Sequence, residues 1–543
     1  MPDDSKPIRI LLPTRLTPEA TGWNLGIRSL VRDLGNCKVP VDVKIFHVNS
    51  DSRVDTEADI ILFSFSNPLE YRLLFDFCQV AGLPARTGAR RARGPLFIGG
   101  GIGLANPEPL GDYLDVVIVG LDHEPIRQLL QTLPAGPHSR GSALAAAMKT
   151  PNAYVPSAID VAFSESGELL KLDPRYEFDV RRAVGRVARV IGGQVSNEEG
   201  VLMPDIGCRH RCSFCVIPFL YPYQEASRTE LSEQVDVLRS SGVVNIKINS
   251  ATATQHSDIG GLLAYLKERG MKIAIGSVRL DQVTPESVQG LTLSHRLSVS
   301  QHLYRPSPPN GAASLTFGIE TASTRLLQLL NKKLIGREIG RHLGALIDAG
   351  LHNVGLYVLA GIPTETPDDI AETALLIADV TQRLRRVAGH VYVGVNPLIP
   401  TPHTPMQRVS IMSCDEFSAW CDTLSAAVAA NLDDAESFGR VHFRAMSLTS
   451  LLIETLAMRG DRRVGKVLEA FHASASWDLI DETTVAHELA RRALPALSFH
   501  RRRIALTAVL PWSLVMVPSL NQEEQAYCQR ERVAEGSSCI RER

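Results

Sequence analysis

The chain has 543 residues, of which 44% are hydrophobic and 21% are charged, and its formal net charge is −2. This length exceeds what one hydrophobic core can hold, so the sequence predicts several domains of an ordinary soluble type. A net charge this close to zero creates no overall field that would draw nucleic acid or an acidic membrane surface. The longest apolar run, residues 504–520, contains two prolines and is slightly short for a membrane span, which favours buried core.

The cysteine content predicts a reducing compartment. Only three of the nine cysteines cluster in the sequence, and the scattered remainder does not resemble the disulfide framework of a secreted protein. The polar start Met-Pro-Asp-Asp-Ser-Lys carries no apolar signal core. Together these observations predict a cytoplasmic protein.

The first part of the chain predicts a Rossmann-like domain at residues 1–136. Its strand signals alternate with helix signals and lie at residues 8–12, 41–48, 59–65, 96–100 and 116–119. Repeated βα units of this spacing predict a parallel sheet covered on both faces. Ligands of such sheets bind beyond the carboxyl ends of the strands.

Three glycines, Gly99, Gly100 and Gly101, end the fourth of these strands. Glycine lets the backbone come close to a phosphate or a planar ring, so these residues are candidates for cofactor binding. A tight structural turn accounts for the same glycines equally well. The pattern is not G-x-G-x-x-G at a first βα turn, so a plain nicotinamide domain is not favoured.

A second βα series follows a linker with a small β element at residues 137–200. Its strand signals lie at residues 200–206, 243–249, 271–276, 314–319, 353–359 and 391–395. Polar and glycine residues gather where these strands end, which is typical of a βα barrel. We therefore predict an α/β chain with a partial (β/α)6 barrel at 201–408, a mainly helical C-terminal cap at 409–520 and a polar tail at 521–543.

The cysteine loop stands at the end of the first barrel strand. Cys208, Cys212 and Cys215 follow Gly207 at spacings of four and three. Three thiolates on one loop can converge on a soft metal, and a [4Fe–4S] cluster with three cysteine ligands keeps one iron open. Two alternatives stay open at this point. His210 can complete a closed zinc site, and the spacing also matches one face of a helix.

The C-x3-C-x2-C loop in this position resembles the signature of the radical S-adenosylmethionine superfamily. Further strings resemble the subgroup with an N-terminal cobalamin-binding-type domain: Ile98-Gly-Gly-Gly, Asn106-Pro-Glu-Pro-Leu, Gly318-Ile-Glu-Thr-Ala-Ser323, Asn331-Lys332, Gly361-Ile-Pro-Thr-Glu-Thr366, residues 396–407 and Arg459-Gly-Asp-Arg-Arg-Val. The resemblance covers roughly residues 60–475.

The resemblance implies a radical enzyme. Cys208, Cys212 and Cys215 would hold a [4Fe–4S] cluster whose open iron binds S-adenosylmethionine, and one electron would yield a 5′-deoxyadenosyl radical. The electron would come from a donor such as flavodoxin or ferredoxin. The implied activity is cobalamin-dependent C-methylation of a natural product, a peptide or a small metabolite. Alternatives are a cobalamin-free radical mutase or cyclase and a non-enzymatic iron–sulfur protein.

The same resemblance implies which residues bind S-adenosylmethionine. Arginine suits bidentate binding of the carboxylate. The implied contacts are Ser277 and Arg279 to the carboxylate, Ser250 to the ammonium, Glu320 to the ribose or ammonium, and Gly361, Ile362 and Asn396 to the adenine.

Two departures from the family pattern stand out. The Gly-Gly-Glu expected after the second barrel strand is replaced by Asn-Ser-Ala-Thr at 249–252. The N-terminal domain also lacks the D-x-H-x-x-G loop whose histidine ligates cobalt, and the string around His123 does not fit it. Cobalamin either binds without a histidine ligand or has been lost. Tyr71 and Arg72 are candidates for the face near such a cofactor.

Overall fold

The chain folds into two compact units. The computed structural model describes residues 6–49, 57–120, 123–133, 139–178, 192–285, 313–474, 477–515 and 520–535. Its contacts divide the chain into one unit of Met1–Arg189, Ile399–His403 and Leu448–Pro518, and another of Val190–Leu398, Thr404–Ser447 and Ser519–Arg543. The domain boundaries predicted from the sequence stay a prediction. The contact grouping differs from them in joining Leu448–Pro518 to the N-terminal sheet.

The strands and helices alternate along most of the described chain. The strands are β1 (Ile8–Thr14), β2 (Val41–His47), β3 (Ile60–Ser64), β4 (Leu96–Gly100), β5 (Val116–Ile118), β6 (Ala153–Tyr154), β7 (Ile159–Phe163), β8 (Leu169–Pro174), β9 (Gly192–Gln194), β10 (Glu199–Leu202), β11 (Asp205–Ile206), β12 (Gln224–Glu225), β13 (Asn245–Ile248), β14 (Lys272–Ile275), β15 (Ser277–Val278), β16 (Ala313–Glu320), β17 (Leu351–Ala360), β18 (Val391–Pro397) and β19 (Val441–Ala445).

The helices carry the connections between these strands and most of the C-terminal part. They are α1 (Pro18–Trp23), α2 (Leu25–Gly35), α3 (Arg72–Ala81), α4 (Glu124–Thr132), α5 (Arg140–Ala147), α6 (Ile217–Leu220), α7 (Arg228–Ser240), α8 (Ile259–Glu268), α9 (Thr324–Leu329), α10 (Gly336–Asp348), α11 (Pro367–Arg385), α12 (Cys414–Ala430), α13 (Ala435–Phe438), α14 (Leu448–Arg459), α15 (Gly465–Ala473), α16 (Glu482–Arg491), α17 (Leu497–Arg501) and α18 (Leu520–Ala534). Within the described ranges, none of these helices is both long and apolar enough to cross a membrane.

The first unit is built on one mostly parallel sheet, which confirms the predicted Rossmann-like class. Its strand order is β2-β1-β3-β4-β5-β6, and only β6 pairs antiparallel to its neighbour. The central strands are buried on both faces because helices cover both. Aliphatic residues of α2, α4 and α5 fill one side, and a group of phenylalanines that includes Phe63, Phe77 and Phe97 packs together within the same unit.

Two strings that the sequence singled out meet in this unit. Asn106, after β4, donates its side-chain amide to the carbonyl oxygens of Ala457 at 3.0 Å and Gly460 at 2.7 Å. Arg462 forms two 2.8 Å hydrogen bonds with the fully buried carboxylate of Glu108. These hydrogen bonds join the segment after α14 to the N-terminal sheet.

The second unit contains the partial barrel. Its parallel strands form the orders β14-β13-β10 and β15-β16-β17-β18-β19, with Gly276 alone between β14 and β15 and with β9 as an antiparallel edge. All six predicted strands are present. The prediction missed β19, which lies in a stretch read as helical. The strand is short, and its sequence Val-His-Phe-Arg-Ala alternates apolar and polar residues over only five positions, with Val441 alone buried.

We predict that Arg462→Ala destabilises the first unit by about 3–5 kcal/mol, because it leaves the buried Glu108 carboxylate without its cation. Thermal or urea unfolding of the full chain would measure the change. The control is Glu168→Ala, which removes an exposed ion pair with Arg502 and is expected to cost less than about 1 kcal/mol. Equal effects of the two substitutions would contradict the prediction.

Candidate active site at the rim of the partial barrel

The cysteine loop follows β11 and is not helical. Gly207 has a φ of 76°, and a Cβ there would lie 2.7 Å from the carbonyl oxygens of Tyr221 and Pro222, so the turn requires glycine. The next helix, α6, begins only at Ile217. The helical-face interpretation of the three cysteines is therefore wrong, because the backbone from Cys208 onward is turn and irregular structure.

The three thiols share one partly buried neighbourhood. Cys212 is buried, and Cys208 and Cys215 are half-buried. Burial raises the pKa of each thiol, that of Cys215 to about 12, and the charge of an ionised Cys212 raises the pKa of both neighbours further. Two cations act in the opposite direction, since Lys332 and Arg279 lower the pKa of Cys212.

The donor set fits a soft metal centre that forms on binding. Within the described residues, no group of three or more His, Cys, Asp or Glu side chains stands in a ready-made metal arrangement. The assignment of Cys208, Cys212 and Cys215 as cluster ligands therefore stays a prediction, as does the zinc alternative with His210. Thiol chemistry supports a cluster, because metal binding takes deprotonated thiols and the neighbouring cations favour that form.

The carboxylate of Asp205 is held by hydrogen bonds at the start of the cysteine loop. Asp205 Oδ1 accepts hydrogen bonds from Ser250 Oγ at 2.6 Å and from Gln255 Nε2 at 2.7 Å, and Gln255 also donates to the Gly207 carbonyl at 3.1 Å. Asp205 Oδ2 is buried and has no hydrogen-bond partner among the described residues. Burial raises the pKa of Asp205. Of these residues only Ser250 was predicted from the sequence. Asp205 is a polar residue just before the cysteine loop, whereas Gln255 lies in a turn beyond β13 and gave no local signal.

Arg279 lies at the third strand end and is already paired. Its Nε and Nη2 each donate to a different oxygen of Asp281 at 2.9 Å. Its positive charge lowers the pKa of Cys208 and of Cys212, which places it beside the thiols. The side chain of Ser277, the other predicted carboxylate contact, lies outside the described part of the structure.

Glu320 is strained and bound to a lysine that the sequence analysis gave no role. Its φ is 66°, a left-handed value that is costly for a residue other than glycine, and the β16–β17 register slips between Gly318 and Glu320. The buried carboxylate pairs with Lys332. A Cβ at Gly318 would lie 2.8 Å from Glu320 Oε1, so glycine there makes room for the pair.

The loop after β17 is held by a buried acid. Glu365 accepts the backbone N–H of Gly361 at 3.0 Å and the indole N–H of Trp420 at 2.9 Å. Burial raises the pKa of Glu365 to about 7. The predicted adenine contacts gather here, because Ile362 is buried on this loop and Asn396 of β18 pairs in register with Leu359 of β17.

The predicted glycine cradle of the N-terminal sheet is filled by the chain itself. A Cβ at Gly99 would lie 2.5 Å from a methyl group of Leu114 and 2.8 Å from one of Leu104. Gly101 has a φ of 99°, and its Cβ would lie 2.3 Å from the carbonyl oxygen of Phe65. The structural-turn alternative accounts for these two glycines, and a cofactor role for Gly99, Gly100 and Gly101 stays a prediction.

His123 is hydrogen-bonded to a carboxylate, because its Nδ1 lies 2.8 Å from Asp33 Oδ2. Such a contact orients an imidazole and leaves its other nitrogen available, so the lack of a histidine ligand to cobalt stays a prediction from the sequence. Tyr71 is fully buried and donates its hydroxyl to the Gly103 carbonyl at 2.6 Å.

Arg72 lies elsewhere in the same unit. It pairs with Asp76 and Asp478 and lines a cavity of about 520 Å³ between α3 and α15, together with Phe75 and Trp477.

Two family models match the chain. Residues 33–156 match "Radical SAM proteins, N-terminal", and residues 205–377 match the "Radical SAM superfamily". The second match contains the cysteine loop and four of the strand ends described above. The two matches together cover more than half of the chain, which therefore belongs to the radical S-adenosylmethionine superfamily.

Curated relatives each match part of the chain. The uncharacterized protein MJ0966 of Methanocaldococcus jannaschii is 26% identical over 268 residues, which are 48% of this chain and 52% of that protein. A tRNA-2-methylthio-N(6)-dimethylallyladenosine synthase of Chlorobium phaeobacteroides is 28% identical over 182 residues, 32% of this chain and 38% of that protein. The chain thus matches about half or less of the length of these curated relatives.

A solved structure shares the fold over most of the chain. The radical S-adenosylmethionine methyltransferase TsrM from Kitasatospora setae, with cobalamin and a [4Fe-4S] cluster bound, matches with a TM-score of 0.50 and 13% identity. The match covers 87% of this chain and 100% of that chain. The match shows that the two proteins share a fold.

We predict that Glu365→Gln makes the stability of the protein less sensitive to pH. The pKa of Glu365 is raised from 4.5 to about 7 in the folded chain. The protonated carboxyl therefore makes its full contribution to folding stability below about pH 4.5, and that contribution is lost as the pH rises through 7. Glutamine keeps an oxygen for the two N–H donors without the charge. We expect the thermal midpoint of Glu365→Gln to exceed that of the unaltered chain by more at pH 8 than at pH 5. An equal difference at the two pH values would contradict the raised pKa of Glu365.

Proposed function

We propose that this chain cleaves S-adenosylmethionine reductively, with a [4Fe–4S] cluster on Cys208, Cys212 and Cys215. The observation that carries the proposal is the contact between the cysteine loop and the segment that precedes Lys332: the Leu330 carbonyl accepts the Ser213 N–H at 2.8 Å, and Asn331 donates to the Arg211 carbonyl at 2.7 Å. When bound, the cluster supplies one electron that breaks a C–S bond of the sulfonium and yields a 5′-deoxyadenosyl radical. A reduced flavodoxin or ferredoxin is the proposed source of that electron.

The residues around the loop supply the groups that S-adenosylmethionine needs. The unpartnered Asp205 Oδ2 and the nearby Ser250 suit the ammonium, because a buried carboxylate oxygen gains from a charged donor. Arg279 uses Nε and Nη2 on Asp281, which leaves its Nη1 donors for a ligand carboxylate. Glu320, held by Lys332, keeps acceptor positions for the ribose hydroxyls or the ammonium.

The loop after β17 would receive the adenine. Gly361 brings the backbone close, Ile362 offers an apolar surface, and Asn396 offers an amide at the neighbouring strand end. Glu365 fixes this loop by accepting the Gly361 N–H, so it positions the adenine contacts without touching the ligand.

We predict that Cys212→Ala abolishes the release of 5′-deoxyadenosine. The full chain, reconstituted anaerobically with iron and sulfide, would be incubated with S-adenosylmethionine and dithionite, and the nucleoside would be quantified by liquid chromatography. Cys421→Ala, a half-buried cysteine of α12, is the matched control and should retain release. Equal release from both variants would refute the assignment of Cys212 as a cluster ligand, whereas no release from the unaltered chain would favour a non-enzymatic role.

We further propose that the radical serves methyl transfer to a carbon of a natural product, a peptide or a small metabolite. The support is the shared fold with TsrM, whose structure is that of a methyltransferase with cobalamin bound. The sheet order of the first unit, with its crevice between β1 and β3, is one that binds cofactors in other proteins. No step is assigned to cobalt, because the sequence does not show the D-x-H-x-x-G loop whose histidine would ligate it.

We predict that the protein retains added hydroxocobalamin through anaerobic gel filtration, and that His123→Ala retains it equally, because the sequence around His123 does not fit the D-x-H-x-x-G loop of a cobalt ligand. Visible absorption of the protein peak measures bound corrinoid. Loss of binding in the variant would show histidine ligation. Absence of binding by the unaltered chain would instead favour the cobalamin-free mutase or cyclase.

A further inference from the structure

The helix α18 lies against the cysteine loop. Arg211 Nε donates to Glu523 Oε1 at 2.7 Å, and Arg530 Nη2 donates to Ser213 Oγ at 3.0 Å. Arg211 and Ser213 are the two chain neighbours of Cys212. Glu523 and Arg530 are about two helical turns apart, so one face of α18 presents both groups to the loop.

Arg530 also ties the loop to a second element. Its Nε donates to the carbonyl oxygen of Leu329 at 3.4 Å, at the end of α9. Ser213 is fully buried, donates its hydroxyl to the same carbonyl at 3.3 Å, and donates its N–H to the Leu330 carbonyl at 2.8 Å. One guanidinium therefore connects the loop, the helix α9 and α18.

The position of α18 depends on these polar contacts. Its buried residues are few, and one of them, Tyr527, packs into the small core that Leu326 and Phe214 share. Glu524 pairs with Arg408 at 3.0 Å, and both side chains are largely buried. An isolated helix of this length is marginal in water, so its contacts to the loop and to α9 hold it in place.

We propose that α18 is a clamp for the cysteine loop and that Arg530 is a positioning residue that acts on the cluster through Ser213. This inference rests on the proposed function, since the clamp serves the same cluster. Partners behind the ligands of a metal site hold those ligands in place, and removing one typically costs 10–100-fold in metal affinity. The clamp thus determines how firmly the cluster is retained, while the cysteines determine whether it forms.

The test compares two arginines of the same helix in the full chain. Arg530→Ala and Arg532→Ala would be reconstituted anaerobically, the iron per chain measured, and the rate of iron loss to a ferrous chelator followed. Arg532 is exposed and matches Arg530 in type and helix. We expect Arg530→Ala to bind as much iron as the unaltered chain, to lose it about 10-fold faster and to show a changed electron paramagnetic resonance spectrum after reduction. Arg532→Ala should behave as the unaltered chain does.

A double substitution tests whether Arg530 acts through Ser213. The expected result is that Ser213→Ala with Arg530→Ala loses iron no faster than the more affected single variant, because contacting residues act non-additively. Additive effects would overturn the assignment of Ser213 as the intermediary. Identical rates and spectra for Arg530→Ala and the unaltered chain would overturn the clamp, and so would equally fast loss from Arg532→Ala.

Folding is checked by circular dichroism before iron is added. If Arg530→Ala does not fold, Arg530→Met replaces it. The measurement is then the rate for Arg530→Met, which keeps an unbranched side chain but donates to neither Ser213 nor Leu329; faster iron loss is expected, and an unaltered rate would overturn the clamp. The two proposals fail differently. Loss of iron from Cys212→Ala together with unaltered behaviour of Arg530→Ala defeats the clamp alone, whereas no iron uptake by the unaltered chain defeats both.

Discussion

Everything at the candidate site depends on one constraint: an irregular, partly buried loop must find hydrogen-bond partners outside itself. A helix satisfies its own backbone and a strand pairs with its neighbours, but the loop that carries Cys208, Cys212 and Cys215 does neither. Its partners come from two separate places in the second unit. Gln255 accepts the Arg209 N–H at 3.0 Å, the Leu330 carbonyl accepts the Ser213 N–H, and Asn331 donates to the Arg211 carbonyl at 2.7 Å. The thiols are therefore placed by residues distant from them in the sequence.

The same physical logic organises the first unit. Buried polar groups there join segments that are more than 300 residues apart, as Asn106 does with Gly460 and Glu108 does with Arg462. A buried carboxylate without its cation is costly, so such a pair selects one arrangement of the two segments. The pairing explains why the segment after α14 belongs with the N-terminal sheet, and it gives the two strings that the sequence analysis noted a shared structural role.

Charge at the barrel rim is largely paired before any ligand binds. Arg279 is matched by Asp281 and Lys332 by Glu320, and both cations still act on Cys212. Because Arg279 and Lys332 each have a carboxylate partner, neither is an isolated ion at the rim, and their N–H donors stay oriented. The exception is Asp205, whose Oδ2 has no partner among the described residues. This contrast is why the carboxylate of Asp205 is the strongest candidate for contact with a positively charged group.

The sequence by itself determined the two parallel βα series and the three-cysteine loop, because apolar periodicity and ligand spacing are local properties that survive without the fold. It also named Arg279, Glu320 and Gly361, each of which lies at a strand end. Only the tertiary structure decided that Gly99 and Gly101 serve internal packing, that Glu365 holds the Gly361 loop, that β19 extends the sheet and that α18 reaches the cysteines. These features depend on contacts between residues far apart in the chain, which no local pattern of the sequence reports.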